Sequence, residues 1–285
     1  MISFNYLASP GQLGNQMFKY AAVRGIANAL HKDFLIPPAY KLLNNKKVFK
    51  ILNRLNLVDE RNHVNHSLFK YFNMSSVNKA NIGYSQNLNT LKEKSFELDK
   101  QFVNIQEESF DIYGFFQSYK YFEHISNEIL EDFTFKNKIA NKTYEIYNNL
   151  ENPCSIHVRR GDYITNPNHS VLDVEYYFKS IEKIGKDKQF LVFSDDVEWC
   201  RSFKAFRGEN FIYSEDFTKG REHYDLSLMT LCKDHIISNS TYSWWGAWLS
   251  KSNNVIAPEN WFKNSAYTFY NTEDLLPKGW LTIEN

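Results

Sequence analysis

At 285 residues, with 43% hydrophobic and 16% aromatic side chains, the chain holds ample material for packed cores and is no disordered polymer. Its length exceeds what one core usually spans and points to two domains of roughly 100–150 residues each. Lys plus Arg and Asp plus Glu both total 33, a balance that excludes a global attraction to nucleic acid, so any bound anion must be held by a local cluster.

Residues 2–8 read as a first strand. They lack the basic start and long apolar core of a secretory signal. Ser9-Pro10-Gly11 breaks the strand, and Met17, Tyr20, Ala21, Arg24, Ile26 and Ala27 follow helical spacing up to Leu30. Residues 41–58 carry Leu42, Val48, Ile51, Leu52 and Leu55 at helical spacing, opposite Lys46, Lys47, Lys50 and Arg54. That pattern is an amphipathic helix with a solvated basic face, and it is also compatible with peripheral contact to an acidic membrane. Residues 60–110, rich in Asn, Lys and Ser, give no clear pattern. Residues 114–118 read as a short aromatic strand and turn, and 119–150 as helical.

The character changes near residue 150, which places the expected domains at 1–150 and 151–285. Strands are expected at 154–158, 190–193, 235–237 and 255–257, and helices at 176–184, 225–232 and 243–249. Such alternation implies parallel βαβ units, with ligands beyond the carboxyl ends of the strands. Cys154, Cys200 and Cys232 are odd in number, widely spaced and without a C-x-x-C pair, which favours a reducing compartment over a disulfide framework or zinc site. No segment nears the ~20 apolar residues that cross a bilayer. The expected location is cytoplasmic, with possible peripheral contact at the inner membrane face.

Four segments carry chemistry. In His157-Val158-Arg159-Arg160-Gly161-Asp162-Tyr163, two arginines follow a strand, so successive side chains point to opposite faces. One guanidinium can grip phosphate oxygens while the other pairs with a carboxylate; a purely structural Arg–Asp network is the alternative. Asp195 and Asp196 end the next strand, placed to bind a guanine edge, ribose hydroxyls or a metal, or to cap a helix. Ser240, Thr241 and Ser243 put a hydroxyl-rich turn at a helix start, suited to a phosphate or to simple N-capping, with Trp244, Trp245 and Trp248 in the core. Gly11-Gln12-Leu13-Gly14-Asn15-Gln16 is a lone glycine loop, neither G-x-G-x-x-G nor a P-loop, which argues against nicotinamide and ATP chemistry. No strict D-x-D pair occurs; Asp173-Val174-Glu175 is a loose substitute. No Ser-His-Asp or Cys-His nucleophile can be assembled.

Taken together, GQLGNQMFKYA at 11–21, HVRRGDY at 157–163, FSDD at 193–196 and SNSTYSWWGAWL at 238–249 resemble glycosyltransferase family 11, the bacterial-type α-1,2-fucosyltransferases. Weaker matches are GFFQSYKYF at 114–122 and VIAPENWF at 255–262. The resemblance implies a GT-B-like architecture: two Rossmann-like α/β domains whose parallel sheets face a cleft. The first would serve the acceptor and the second GDP-fucose. It implies an inverting transfer of fucose from GDP-fucose to the 2-hydroxyl of a galactose-terminated oligosaccharide or lipid-linked glycan, as in O-antigen or capsule synthesis. No cofactor and no metal would be needed beyond the donor.

By the same resemblance, Arg159 would stabilise the departing GDP, and Arg160 would share the phosphate or orient the loop. His157, Asp195 and Asp196 would lie near the nucleotide, with Ser240, Thr241 and Ser243 near the pyrophosphate. Gly14, Asn15 and Gln16 would touch acceptor or fucose. Asp162 is the first candidate for the base, followed by Asp196, Glu222 and Asp225. Residues 31–110 match poorly, where acceptor choice would vary. Two alternatives remain: a fucosyltransferase of another linkage or acceptor class, and a non-catalytic nucleotide- or glycan-binding protein.

Overall fold

A computed structural model describes residues 1–39, 51, 54, 67–263 and 271–285. The chain forms two compact α/β units: residues 1–134 with 271–275, and residues 135–270 with 276–285. Each contains one parallel sheet, a GT-B-like composition.

The first unit has a four-stranded sheet built from β1 (Ile2–Ser3), β2 (Phe34–Leu35), β3 (Thr90–Lys92) and β4 (Phe110–Tyr113), in the order β2-β1-β4-β3. Helix α1 (Leu13–Ala29) makes the crossover from β1 to β2. Nearly every side chain of α1 between Leu13 and Ala27 is buried, so the helix runs through the core rather than along a surface. Gly25 is the point of closest approach: a Cβ there would overlap the carbonyl oxygen of Tyr121.

The strand expected over 2–8 stops at Ser3, because the chain turns back on itself, with Leu7 N–H donating to Phe4 O (3.1 Å) and Ser9 N–H to Tyr6 O (3.2 Å). The aromatic strand expected at 114–118 lies four residues earlier, at β4, where Phe110 and Ile112 enter the core. Residues 114–118 form a loop instead, in which Phe116 takes a left-handed backbone (φ 53°). The helix expected over 119–150 is divided into 3-10 turns followed by α2 (Ser126–Asp132) and α3 (Asn137–Tyr147), because Phe133 and Phe135 between them are drawn into the core. The basic helix expected over 41–58 lies outside the described residues, apart from Ile51 and Arg54.

The second unit holds a six-stranded, wholly parallel sheet. Its strands are β5 (Cys154–Val158), β6 (Phe190–Ser194), β7 (Phe211–Tyr213), β8 (Asp234–Ile236), β9 (Asn254–Pro258) and β10 (Leu281–Ile283). Their order, β10-β9-β8-β5-β6-β7, is the 3-2-1-4-5-6 order of the Rossmann fold when counted from β5. Strand β5 is buried throughout and β6 from Phe190 to Phe193, so β6 is apolar over those four residues, while the polar Ser155 and His157 of β5 are bonded to His235 and Ser238. Helices α4 (Val174–Ile184), α5 (Val197–Ser202), α6 (Glu222–Met229) and α7 (Thr241–Leu249) cover the sheet. The unit begins before residue 151: α3 packs with it, through Ile146 and a buried Thr143–Ser227 hydroxyl pair at 2.8 Å, so the break falls after Thr134 and not at the Asn152-Pro153 breaker. Among the described residues no helix is long and apolar enough to cross a membrane.

Gly25→Ala should cost about 3 kcal/mol, since overpacking against backbone cannot be relieved by a rotamer change. A melting temperature equal to wild type would show that α1 and the 119–125 segment are not held this closely.

Candidate functional site

The Rossmann order places a switch point between β5 and β8, from which the connections run to opposite sides and leave a crevice at the strands' carboxyl ends. Two of the three predicted polar segments of this unit emerge there. The first leaves β5 and the second leaves β8, and they are joined across the gap. His157 Nδ1 bonds the Ser238 hydroxyl at 2.7 Å, and the Tyr163 hydroxyl donates to Asn239 O at 3.0 Å. His157 is enclosed; burial, helped by the Arg159 charge, pushes its imidazole down to about 3, so it is neutral at physiological pH.

Arg159 stands past the end of β5 between two acids. Its guanidinium donates to Asp162 Oδ1 at 2.6 Å and meets Asp195 Oδ2 at 2.9 Å. Arg160, past the end of the strand, meets a different acid. Its Nε meets Asp196 Oδ2 at 3.0 Å, and its guanidinium lies 4.0 Å above the Trp199 ring. Asp195 also accepts the Arg160 backbone N–H at 2.9 Å, and Asp196 caps α5 through Trp199 N–H. The HVRRGD turn is therefore laced to the end of β6. Gly161 is required by this closeness: a Cβ at 161 would fall 2.5 Å from Asp195 Oδ2.

On the β8 side, Ser240 caps α7 and accepts from Tyr242 N–H at 3.4 Å. Thr241 begins the helix and is half-buried. Ser243 is fully buried, within reach of the carbonyls of Ser238 and Ser240, so its hydroxyl is used inside the turn. Asn239 is also buried. Its Nδ2 serves Ser170 O and Trp261 O, while its Oδ1 has no partner. Trp244 and Trp245 are core residues, as expected.

Among the candidate bases, Asp162 is the most exposed member of the Arg159 pairings, its side chain 59% accessible against 26% for Asp195. Asp225 is turned inward, accepts from the Thr218 hydroxyl at 2.7 Å, and burial raises its carboxyl. Glu222 stands exposed at the start of α6. The loose D-V-E segment is spent locally: Asp173 caps α4 and Glu175 pairs with Lys179 at 2.9 Å. The sequence did not single out His169, whose ring stacks on Tyr163 (4.4 Å, 14°) and leans on Phe262. No local pattern marks it, because Tyr163 and Phe262 meet it from distant segments.

In the first unit the glycine loop is clamped from two sides. Gly11 has φ +111°, and a Cβ there would fall 2.5 Å from Asn15 Nδ2. The fully buried Lys19 ammonium donates to Pro10 O at 2.7 Å and Tyr6 O at 3.3 Å. Asn15 Oδ1 accepts from Gln117 Nε2 at 2.9 Å. Gln117 follows a turn pinned by Glu93, whose Oε2 accepts the N–H groups of Phe115 and Phe116, each at 2.8 Å. Gly14 is buried, and buried Gln16 accepts Ser67 N–H at 2.8 Å, so Asn15 is the half-exposed member of the predicted trio. A lysine inside the apolar run Met17-Phe18-Lys19-Tyr20-Ala21 was the available signal for the clamp.

Comparison with known proteins now places this geometry. The sequence profile of glycosyl transferase family 11 matches residues 3–284. The chain belongs to glycosyltransferase family 11. An α-1,2-colitosyltransferase of Escherichia coli is 32% identical to it, over 96% of this chain and 97% of its own length. The O-antigen biosynthesis glycosyltransferase WbnK, also of Escherichia coli, is 29% identical over 98% of this chain and 100% of its own. Among solved structures, the Bradyrhizobium fucosyltransferase NodZ aligns with a TM-score of 0.54 at 9% identity, covering 86% of this chain and 92% of that one, a likeness of fold. In this family 11 glycosyltransferase, the switch-point crevice is the candidate site of the second unit, and the glycine loop is a separate candidate in the first.

The buried Glu93–Lys19 clamp has a pH signature. Burial pushes the Glu93 carboxyl up to about 8, above its unfolded value near 4.5, although the two N–H donors oppose the shift. Its contribution to stability is therefore full below about pH 4.5 and lost as pH rises through about 8. Lys19 is pushed down by burial to about 7 from 10.5, so its contribution is present above pH 10.5 and lost as pH falls through about 7. Glu93→Gln should remove only the first dependence. Urea unfolding should show wild type losing stability relative to the variant between about pH 5 and pH 8; a constant difference would contradict the assignment.

Proposed function

We propose that this family 11 enzyme transfers a 6-deoxyhexosyl group, fucose or its relative colitose, from a GDP-linked donor to the 2-hydroxyl of a galactoside, with inversion. The observation that carries the reading is Arg159 at the switch point, a guanidinium balanced by two carboxylates, one of them largely exposed. A half-buried charge poised where Rossmann-type sheets bind nucleotides suits a diphosphate that takes up charge as the glycosidic bond breaks.

In this mechanism the donor's diphosphate displaces Asp162 from Arg159, while Asp195 keeps the guanidinium aimed. Arg160, Ser240 and Thr241 line the approach. Neutral His157 fixes the β5–β8 crevice and faces the nucleotide as a hydrogen-bonding group rather than a charge. The acceptor hydroxyl attacks the anomeric carbon opposite the departing GDP, its proton leaves to a base, and the carbon–oxygen bond to the phosphate breaks. The arginine charge takes the place a metal holds in other nucleotide-sugar enzymes, so transfer should survive EDTA. Asp162 acts here as a gate on Arg159, its carboxylate giving way to the incoming diphosphate.

The α-1,2-colitosyltransferase relative keeps colitose in the proposal beside fucose, and WbnK suggests an O-antigen repeat as acceptor. Competition between GDP-fucose and GDP-colitose, with NMR of the product, decides donor and linkage.

Arg159→Ala should lower kcat/KM by about 100-fold or more, the scale of losing one donor to a developing oxyanion. Asp162→Asn should stay within about tenfold of wild type if it only gates the arginine. Steady-state transfer to lactose measures both. Equal, complete loss in Asp162→Asn would make Asp162 the base.

A further inference from the structure

A pocket of about 370 Å³ opens on the first unit, lined by residues that include Asn5, Tyr6, Gln86, Asn87, Thr90 and Asp111. That volume lies toward the lower end of the ~300–1,000 Å³ typical of small-molecule sites. We propose that it is the subsite for a neutral pyranose of the acceptor glycan, an inference that rests on the glycosyl-transfer reading above.

The floor is polar where a parallel sheet is ordinarily apolar. Ser3 and Thr90 pair in register with Asp111 from either side, so all three side chains share one face of the sheet. Asp111 Oδ1 accepts from the Ser3 hydroxyl at 2.7 Å and from Asn5 N–H at 3.0 Å. Ser3 and Ser85 hydroxyls meet at 2.6 Å, and Asn5 exchanges bonds with Ser85 N–H, O and Oγ. Ser3, Asn5, Ser85 and Asp111 are all buried. A buried polar network of this kind is costly unless fully met, and an apolar floor would have sealed the sheet more simply. Its effect is to hold Asn5 and Asp111 rigid beneath an open mouth.

The mouth supplies what a sugar ring needs. Tyr6 is 38% exposed and braced edge-on by Tyr113 at 5.4 Å, which offers an aromatic surface for the C–H face of a pyranose. Exposed Gln86, Asn87 and Thr90 surround it with amides and a hydroxyl able to pair with vicinal hydroxyls. Among the described residues no Lys, Arg or His lines the pocket, and a diphosphate would find no cation in that lining. One carboxylate, already bonded to neighbours, is a poor cage for a hard divalent cation. What fits is a neutral, hydroxyl-rich ring. The wall is tied to the glycine loop by the same buried ammonium, since Lys19 holds both Tyr6 O and Pro10 O.

The test is saturation-transfer NMR with methyl β-galactoside and no donor, on wild type, Tyr6→Ala, Tyr6→Phe and Gln86→Ala, with GDP affinity and melting temperature recorded alongside. The expected result is about tenfold weaker sugar binding, the equivalent of one lost ~1.4 kcal/mol contact, in Tyr6→Ala and Gln86→Ala, with Tyr6→Phe retaining binding and GDP affinity unchanged throughout. Sugar binding at wild-type strength in both truncations overturns the proposal. If wild type transfers nothing to any galactoside, the transfer reading fails alone. The pocket is then judged on a panel of neutral glycans, where binding lost in Tyr6→Ala and kept in Tyr6→Phe supports it, and binding indifferent to both overturns it.

Discussion

The guanidinium of Arg159, suspended between Asp162 and Asp195 at the carboxyl end of β5, is the interaction around which the second unit is arranged. A charge at 22% exposure needs a counter-charge at all times. Asp195 supplies a fixed one, because it is anchored through the Arg160 backbone and lies against Gly161. Asp162 supplies an exchangeable one, because it sits at the surface, where an ion pair is worth little and is easily replaced by a diphosphate. The sheet order makes the crevice, and Arg159 sets one partly exposed cation at its edge, matched by acids of which one is held and one is exchangeable.

The first unit solves a different problem. Its buried Lys19 and Glu93 hold no opposing ion at the surface; they hold backbone. Lys19 gathers two carbonyls, and Glu93 gathers two N–H groups, so both buried polar side chains are spent on shaping the loops at 6–16 and 114–117. Glu93 Oε1 and Gln117 Oε1 are buried without partners, which leaves acceptor capacity inside the clamp.

Much of this was legible before any coordinates. The strands β5, β6, β8 and β9 stand within a residue or so of where the sequence puts them, because buried parallel strands favour short runs of largely apolar residues between breakers. Arg159 and Arg160 were legible as adjacent cations past a strand end, held either for a phosphate or in an Arg–Asp network; the structure ties both to carboxylates, Arg159 to Asp162 and Asp195 and Arg160 to Asp196. Illegible were the pairings that join distant segments: His157 with Ser238, Glu93 with the Phe115 and Phe116 amides, His169 with Tyr163. A lone Glu in a Lys- and Ser-rich stretch gives no sign that its carboxyl end is buried. The over-long strand at 2–8 and helix at 119–150 were misjudged for one reason: local composition there is continuous, whereas Phe4, Phe133 and Phe135 are drawn into the core and bend the chain.

Family membership narrows the chemistry without choosing the sugar. A relative at 32% identity is an α-1,2-colitosyltransferase, so family membership leaves the transferred sugar open. The most direct measurement is a crystal structure of the complex with GDP. The account predicts that the Arg159 guanidinium leaves Asp162, keeps Asp195, and comes within hydrogen-bond distance of the β-phosphate. An Arg159 still locked to both carboxylates, with the diphosphate bound elsewhere, would contradict it.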